Sequence, residues 1–439
     1  MKNFKKKVGF VSLGCDKNRV DTENIITKLD REEFEFVADK EQAEIILINT
    51  CAFLESARDE AKEVIQEMTQ LKKTGKLEKL IVVGCLPLLE KEKLLEEYKG
   101  IDKIVLPSDY DKIDKIILEL YNKDFTQNKN KTLGRRLTTP THYAYLKIAD
   151  GCNNRCAFCK IPFIRGNYKS RTIKEIVEEA NCLVEKGVKE LILVAQDVTR
   201  FGFDNKENLV QLLRELGKIK KLVWIRLLYC YPDLITDELI QEIKCNPKVV
   251  HYIDMPLQHI SNHVLVNMKR RSKKRDIIEL INKLRREIPD IKIRSTFMVG
   301  FPNETKRDFR ELCSFLKIFK LDNVGFFKFS REEGTLAYDM DYQIDEKEKD
   351  RRLEIVQKLQ QKIILKKNKK LKKQVFKVIV DEKLDDIYVA RPYFSAPEVD
   401  YYVYFQSGLD LKAGNFVDVE ITNFKDDGFI AKNYKNSTY

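Results

Sequence analysis

Three cysteines fall within eight residues in Gly151-Cys152-Asn153-Asn154-Arg155-Cys156-Ala157-Phe158-Cys159, directly after the apolar run 143–148. A C-x3-C-x2-C run delivers three thiolates into one small volume, where a cubane has four irons to ligate. The fourth iron is left open. An electron-transfer cluster takes four protein ligands, whereas a cluster that binds and cleaves a substrate needs a free corner. Structural zinc sites pair C-x2-C units or add histidine, and no fourth ligand stands nearby in sequence. Whatever this chain folds into must present that loop where a ligand can reach it.

At 439 residues the chain exceeds one ordinary core, and two to four domains are expected. No apolar run reaches the roughly 18 residues of a membrane helix. The basic start leads into a strand pattern and not into a signal-peptide core, so a cytoplasmic location with no membrane partner is expected. Ten cysteines in such a chain point to metal more than to disulfides. The net charge of +12 arises from 81 basic and 69 acidic residues. Much of it reads as solvated lysine on helix faces and only weakly favours a nucleic-acid partner.

Residues 1–125 contain three strand patterns that end alike. The run 8–14 leads into Cys15, 43–50 into Cys51 and 80–84 into Cys85. Continuous apolar runs alternating with helical stretches at 56–72 and 88–97 predict a parallel sheet with helices on both faces. Ligands collect beyond the carboxyl ends of such strands. A lone cysteine there is a small core residue, but three of three at equivalent ends predict a second three-thiolate site. Residues 126–141 are polar and aperiodic and read as a linker.

Residues 142–370 hold six strand patterns, at 144–150, 190–198, 224–231, 252–258, 292–302 and 323–330, separated by amphipathic stretches such as 173–186. Repeated β-α units predict a parallel barrel or partial barrel with its chemistry at the C-terminal strand ends. Gln196-Asp197 end the second strand pattern and Gln258-His259 the fourth; Gly300, after the fifth, can let backbone approach a ligand. For Gln258 or His259 alone a structural role stands level with a ligand role. Cys182, Cys230, Cys245 and Cys313 lack ligand spacing and read as packing residues. The charged stretch 346–370 predicts an amphipathic helix joining two domains. Residues 371–439 change to short β stretches with turn signals such as Asp426-Asp427-Gly428, which predict a small antiparallel β-barrel of oligonucleotide-binding type. That segment has nine Lys and Arg against eleven Asp and Glu, a net of −2. An RNA-gripping barrel should be basic.

The C-x3-C-x2-C spacing resembles the radical S-adenosylmethionine (radical SAM) superfamily. That resemblance implies a six-unit open barrel in which Gln196 and Asp197 lie where the methionyl amino group of SAM binds. The order of a three-cysteine α/β domain, a radical SAM domain and a small barrel corresponding to a TRAM domain is similar to the methylthiotransferase family along the whole chain. Leu13-Gly14-Cys15-Asp16-Lys17-Asn18-Arg19 resembles the branch that modifies an aspartate of small-subunit ribosomal protein twelve, which has Lys-Asn where the tRNA branch usually has Met-Asn. Asp16 departs from the commoner proline, and Gly334-Thr335 is shared with the tRNA branch. The resemblance implies a [4Fe–4S] cluster on Cys152, Cys156 and Cys159 that chelates and cleaves SAM. A second cluster on Cys15, Cys51 and Cys85 would carry the sulfur, and a second SAM would methylate it. The aspartate β-carbon has no acidic proton worth using, so radical chemistry is expected and no catalytic acid or base is assigned. A flavodoxin- or ferredoxin-like electron donor and a sulfur donor are implied as partners. The rivals are a methylthiotransferase acting on a tRNA adenosine and a non-catalytic iron–sulfur sensor that binds RNA or ribosomes.

Overall fold

In the first part of the computed structural model the apolar runs form a five-stranded parallel sheet. Its strands are β1 (Lys6–Ser12), β2 (Phe34–Phe36), β3 (Ile45–Thr50), β4 (Lys79–Gly84) and β5 (Lys103–Ile104), in the order β2-β1-β3-β4-β5. Side chains alternate across it. Ile46, Ile48, Leu80 and Val82 pack with Ala61, Ile65 and Met68 of α2 (Glu55–Thr74). Ile45, Leu47, Ile81 and Val83 pack on the other face with Ile25 of α1 (Asp16–Lys28) and with Ile113 and Ile117 of α4 (Ile113–Glu119). Between α2 and α4, α3 (Leu86–Glu97) follows β4. Two-sided burial explains the uninterrupted apolar runs.

The structure describes residues 4–124, 134–425 and 428–438. Residues 126–133 of the expected linker, and Asp426 and Asp427 of the expected turn, lie outside them. The chain divides into two compact units. The first takes the chain up to Thr138 together with Asp150–Asn153 and Cys159–Tyr168, and the second takes the remainder.

The second unit holds a six-stranded all-parallel sheet in consecutive order: β6 (Tyr143–Lys147), β7 (Glu190–Val194), β8 (Trp224–Leu227), β9 (Val249–Asp254), β10 (Lys292–Val299) and β11 (Asn323–Lys328). β6 and β11 stand at its two edges, so the barrel is open. Helices α5 (Ile173–Glu185), α6 (Leu209–Gly217), α7 (Asp237–Cys245), α8 (Asn262–Asn267), α9 (Lys274–Glu287) and α10 (Lys306–Phe319) alternate with the strands. Reciprocal capping fixes where three of them start: Thr172 with Glu175, Asn208 with Gln211 and Thr305 with Asp308. α11 (Glu346–Asn368) leads to a closed five-stranded barrel of β12 (Val375–Leu384), β13 (Ile387–Pro392), β14 (Tyr402–Gln406), β15 (Phe416–Lys425) and β16 (Gly428–Thr438), ordered β12-β13-β14-β16-β15. Its pairs are antiparallel except β14 with β16, which runs parallel. This is the oligonucleotide-binding strand order.

The small barrel is fastened to the sheet by buried charge. Glu190, the first residue of β7, takes Arg226 of β8 at 2.7 Å and Arg391 of β13 at 2.7 Å, with all three side chains fully inaccessible. Asp381 of β12 closes on Arg391 through two bonds of 2.7 and 3.0 Å and takes His142 at 2.6 Å. Tyr252 of β9 donates to Asp400 at 2.7 Å, and Trp224 packs edge-on against Phe416 at 4.9 Å. Burial opposes ionisation of Glu190, but Arg391 and Arg226 outweigh it and hold the carboxyl below its usual range. The charges cancel within the cluster, the condition for tolerating them away from water.

Candidate metal centres and cofactor site

Cys15, Cys51 and Cys85 directly follow or closely follow β1, β3 and β4, three adjacent strands. Parallel direction puts all three thiols at one edge. Cys15 is the N-cap of α1 and Cys85 the N-cap of α3. Gly14 sits at φ +94°, and a Cβ there would lie 2.9 Å from Cys51 Cβ and 3.2 Å from its Sγ, so only glycine leaves that space open. Asn18 ties the loops together, donating to Leu13 O at 3.2 Å and Thr50 O at 3.0 Å. Asn49 donates in turn to Asn18 O at 2.8 Å. Burial pushes the Cys85 thiol up to about 11, although the Arg165 guanidinium pulls the other way. Burial raises Cys51 as well, and the nearby Cys15 adds to both shifts.

Cys152, Cys156 and Cys159 occupy the loop after β6. Gly151 turns it at φ +74°, where a Cβ would fall 2.1 Å from Asn167 O, and Arg155 takes a second left-handed position at φ +50°. Cys152 and Cys156 are buried and Cys159 is half-buried. Tyr231 Oη lies 3.2 Å and Arg270 Nη1 3.7 Å from Cys156 Sγ. The Arg270 guanidinium rests on the Tyr231 ring at 4.1 Å. Ile161 N–H donates to Cys159 Sγ at 3.4 Å.

Among the described residues no three His, Cys, Asp or Glu side chains are gathered to chelate a single metal ion. The fit to iron–sulfur clusters rests on the donor sets, three thiols without histidine at each place, and on the backbone cut away at Gly14. Of the other cysteines, Cys230 is buried, Cys182 and Cys313 are half-buried, and Cys245 is exposed and so not a packing residue.

Gln196 and Asp197 follow β7, and Gln196 is half-buried. The Asp197 carboxylate accepts from Asn154 Nδ2 at 2.8 Å and Thr199 Oγ1 at 2.6 Å, and Arg200 lies 3.4 Å away. Those bonds hold the cysteine loop to the second strand. Gly300, at φ +75°, gives its N–H to Glu304, whose carboxyl is also paired with Arg352 at 2.9 Å. Among the described residues Gln258 Oε1 and His259 Nε2 are buried without a hydrogen-bond partner. Unsatisfied polar atoms after β9 fit a ligand that supplies their partners. Sequence reading missed Arg165, Tyr231 and Arg270. Only Arg165 carried a signal, an arginine six residues after Cys159.

Residues 146–316 match the Radical SAM superfamily, residues 7–106 the family described as Uncharacterized protein family UPF0004, and residues 374–432 the TRAM domain. A radical SAM methyltransferase, TsrM of Kitasatospora setae, solved with cobalamin and a [4Fe-4S] cluster, shares the fold at TM-score 0.55 and 15% identity, over 74% of this chain and 72% of that one. Fold and cysteine loop define a radical SAM protein. More closely, the chain is 46% identical over 432 residues to the ribosomal protein uS12 methylthiotransferase RimO of Clostridium kluyveri, covering 95% of this chain and 96% of that protein. It is 44% identical to the protein of that name from Acetivibrio thermocellus, covering 96% and 97%. The chain belongs to the RimO family of radical SAM methylthiotransferases.

Proposed function

We propose that this chain is a cytoplasmic radical SAM enzyme that adds a methylthio group to the β-carbon of an aspartate in ribosomal protein uS12. The observation that supports the reading is that two sets of three cysteines follow strand ends in a chain related to RimO proteins along nearly its whole length. Cys152, Cys156 and Cys159 would hold one [4Fe–4S] cluster, and Cys15, Cys51 and Cys85 a second. When bound, these clusters and SAM supply reductive cleavage of SAM and the sulfur and methyl that are transferred.

The chain's own residues bind, orient and exclude water. Tyr231 and Arg270 fix the Cys156 sulfur, and Asn154 with Asp197 anchors its loop. Ala157 of that loop belongs to an apolar cluster with Val264, Met268, Met298, Phe301 and Phe329, which keeps water from its inner side. Gln196 and the unsatisfied Gln258 lie at or just beyond strand ends suited to SAM, whereas the Gly300 N–H is taken by Glu304 and the Lys349 side chain fills the space beside its α-carbon. The −2 net charge of 371–439 supports a protein substrate over tRNA. Asp381, Arg391 and Asp400 of that segment are spent in the domain junction and do not face a partner. Electrons would come from a flavodoxin- or ferredoxin-like protein, and sulfur from a separate donor.

Anaerobic reconstitution should give about eight irons per chain, as two four-iron cubanes require. Reaction with uS12 and with tRNA, followed by mass spectrometry of both, should place the methylthio group on uS12. Four irons in fully reconstituted protein, or product on tRNA alone, would overturn the reading.

A further inference from the structure

We propose that Arg165 is a positioning residue of the first three-thiol site: its guanidinium donates Nε–H to Cys85 Sγ at 3.3 Å and so sets both the place of that ligand and the electron affinity of a cluster bound there. The inference rests on the assignment of Cys15, Cys51 and Cys85 as cluster ligands.

Every edge of the guanidinium fork is used. Nη1 pairs with Asp21 at 2.9 Å and Asp150 at 3.2 Å, and Nη2 donates to Asn18 Oδ1 at 2.7 Å. The side chain is 4% accessible. The two carboxylates fix it from one side, and the Nε edge is left for sulfur. A buried arginine held only for stability needs carboxylates, and no thiol. The Asn18 that takes Nη2 also ties the loops of Cys15 and Cys51. Arg165 therefore touches one of the three ligands and the amide that positions the other two.

A hydrogen bond donated to a ligating thiolate draws electron density from sulfur and stabilises the reduced cluster, which raises its reduction potential. The arginine lies six residues after Cys159, and Cys159–Tyr168 folds as part of the first unit. The segment that ends one triad thus supplies a donor to the other.

The test uses the full chain carrying C152A, C156A and C159A, so that only the first site can take a cluster. Arg165 is kept, or replaced as R165Q or R165K. Iron content and an EPR-monitored redox titration are read after anaerobic reconstitution. R165Q should favour the oxidised cluster by about tenfold, ~59 mV toward negative potential for one electron. R165K keeps the charge but not the fork and should fall between. Equal potentials in all three proteins would overturn the role of Arg165. If R165Q retains no iron, the comparison of Arg165 with R165K decides on the same criterion. A parent that binds no four-iron cluster would overturn the triad assignment, and the inference with it.

Discussion

The two ends of the open barrel in the second unit are built on opposite principles. At the entry to the strands, the cluster of Glu190, Arg226, Arg391, Asp381 and His142 is buried, paired and charge-balanced. At the exit, among the described residues, Gln258 Oε1 and His259 Nε2 are buried without a hydrogen-bond partner. One end balances its charges internally, with Arg226 Nη2 and His142 Nδ1 left over, and the other holds no such charge pairing at Gln258 and His259. Parallel barrels divide stability and chemistry in this way.

Removing thiols should have the largest effect and should leave the entry end intact. C152A/C156A/C159A should abolish release of 5′-deoxyadenosine from SAM under reduction, followed by chromatography. C15A/C51A/C85A should keep that release while methylthiolated uS12 falls below detection. Normal product yield from the second variant would break the assignment.

Next in size is the entry end. R391A leaves Glu190 and Asp381 buried beside a lost partner and should cost about 3–5 kcal/mol in a denaturant titration. Deoxyadenosine release by the folded fraction should be unchanged. A stability change below about 1 kcal/mol would erase the contrast between the ends.

The third prediction concerns pH. Burial holds His259 down at about 3, from an ordinary value of 6.5, and its Nδ1 accepts the Ser261 N–H at 3.0 Å. The unfolded chain therefore binds the proton first. Stability is full above pH 6.5 and is lost as pH falls toward 3, with a slope of about 1.4 kcal/mol per unit. H259Q should remove this component from urea midpoints measured between about pH 7.5 and 5; an unchanged slope would mean the imidazole does not titrate as described. The smallest effect belongs to Y231F, which deletes the hydroxyl beside Cys156 and should slow SAM cleavage by less than about tenfold, the range of one hydrogen bond.

What the sequence made visible follows from the range of each interaction. The C-x3-C-x2-C loop is local, and the other three cysteines were marked by a repeated strand-end pattern, so all six stood out. β2 and β5 have three and two residues at the sheet edges, too few to make a pattern. α1 hid for another reason. It buries Asn18, Asp21, Thr22 and Glu23 beside Val20 and Ile25, so its inner face is mixed and carries no continuous apolar stripe. Arg391 and Glu190 lie 201 positions apart. Nothing in local composition marks such a pair, and the −2 total of the last segment counted charges that the fold hides.

Because the first unit reclaims Asp150–Asn153 and Cys159–Tyr168 from the far side of the polar stretch near residue 130, the gene has no clean seam there. A chimera that joined the first 138 residues to the later domains of a distant relative would inherit a foreign arginine segment against Asn18, Asp21 and Cys85. Recombination at that point should yield working hybrids only between parents that share both pieces. The two cysteine-bearing modules are bound to descend together.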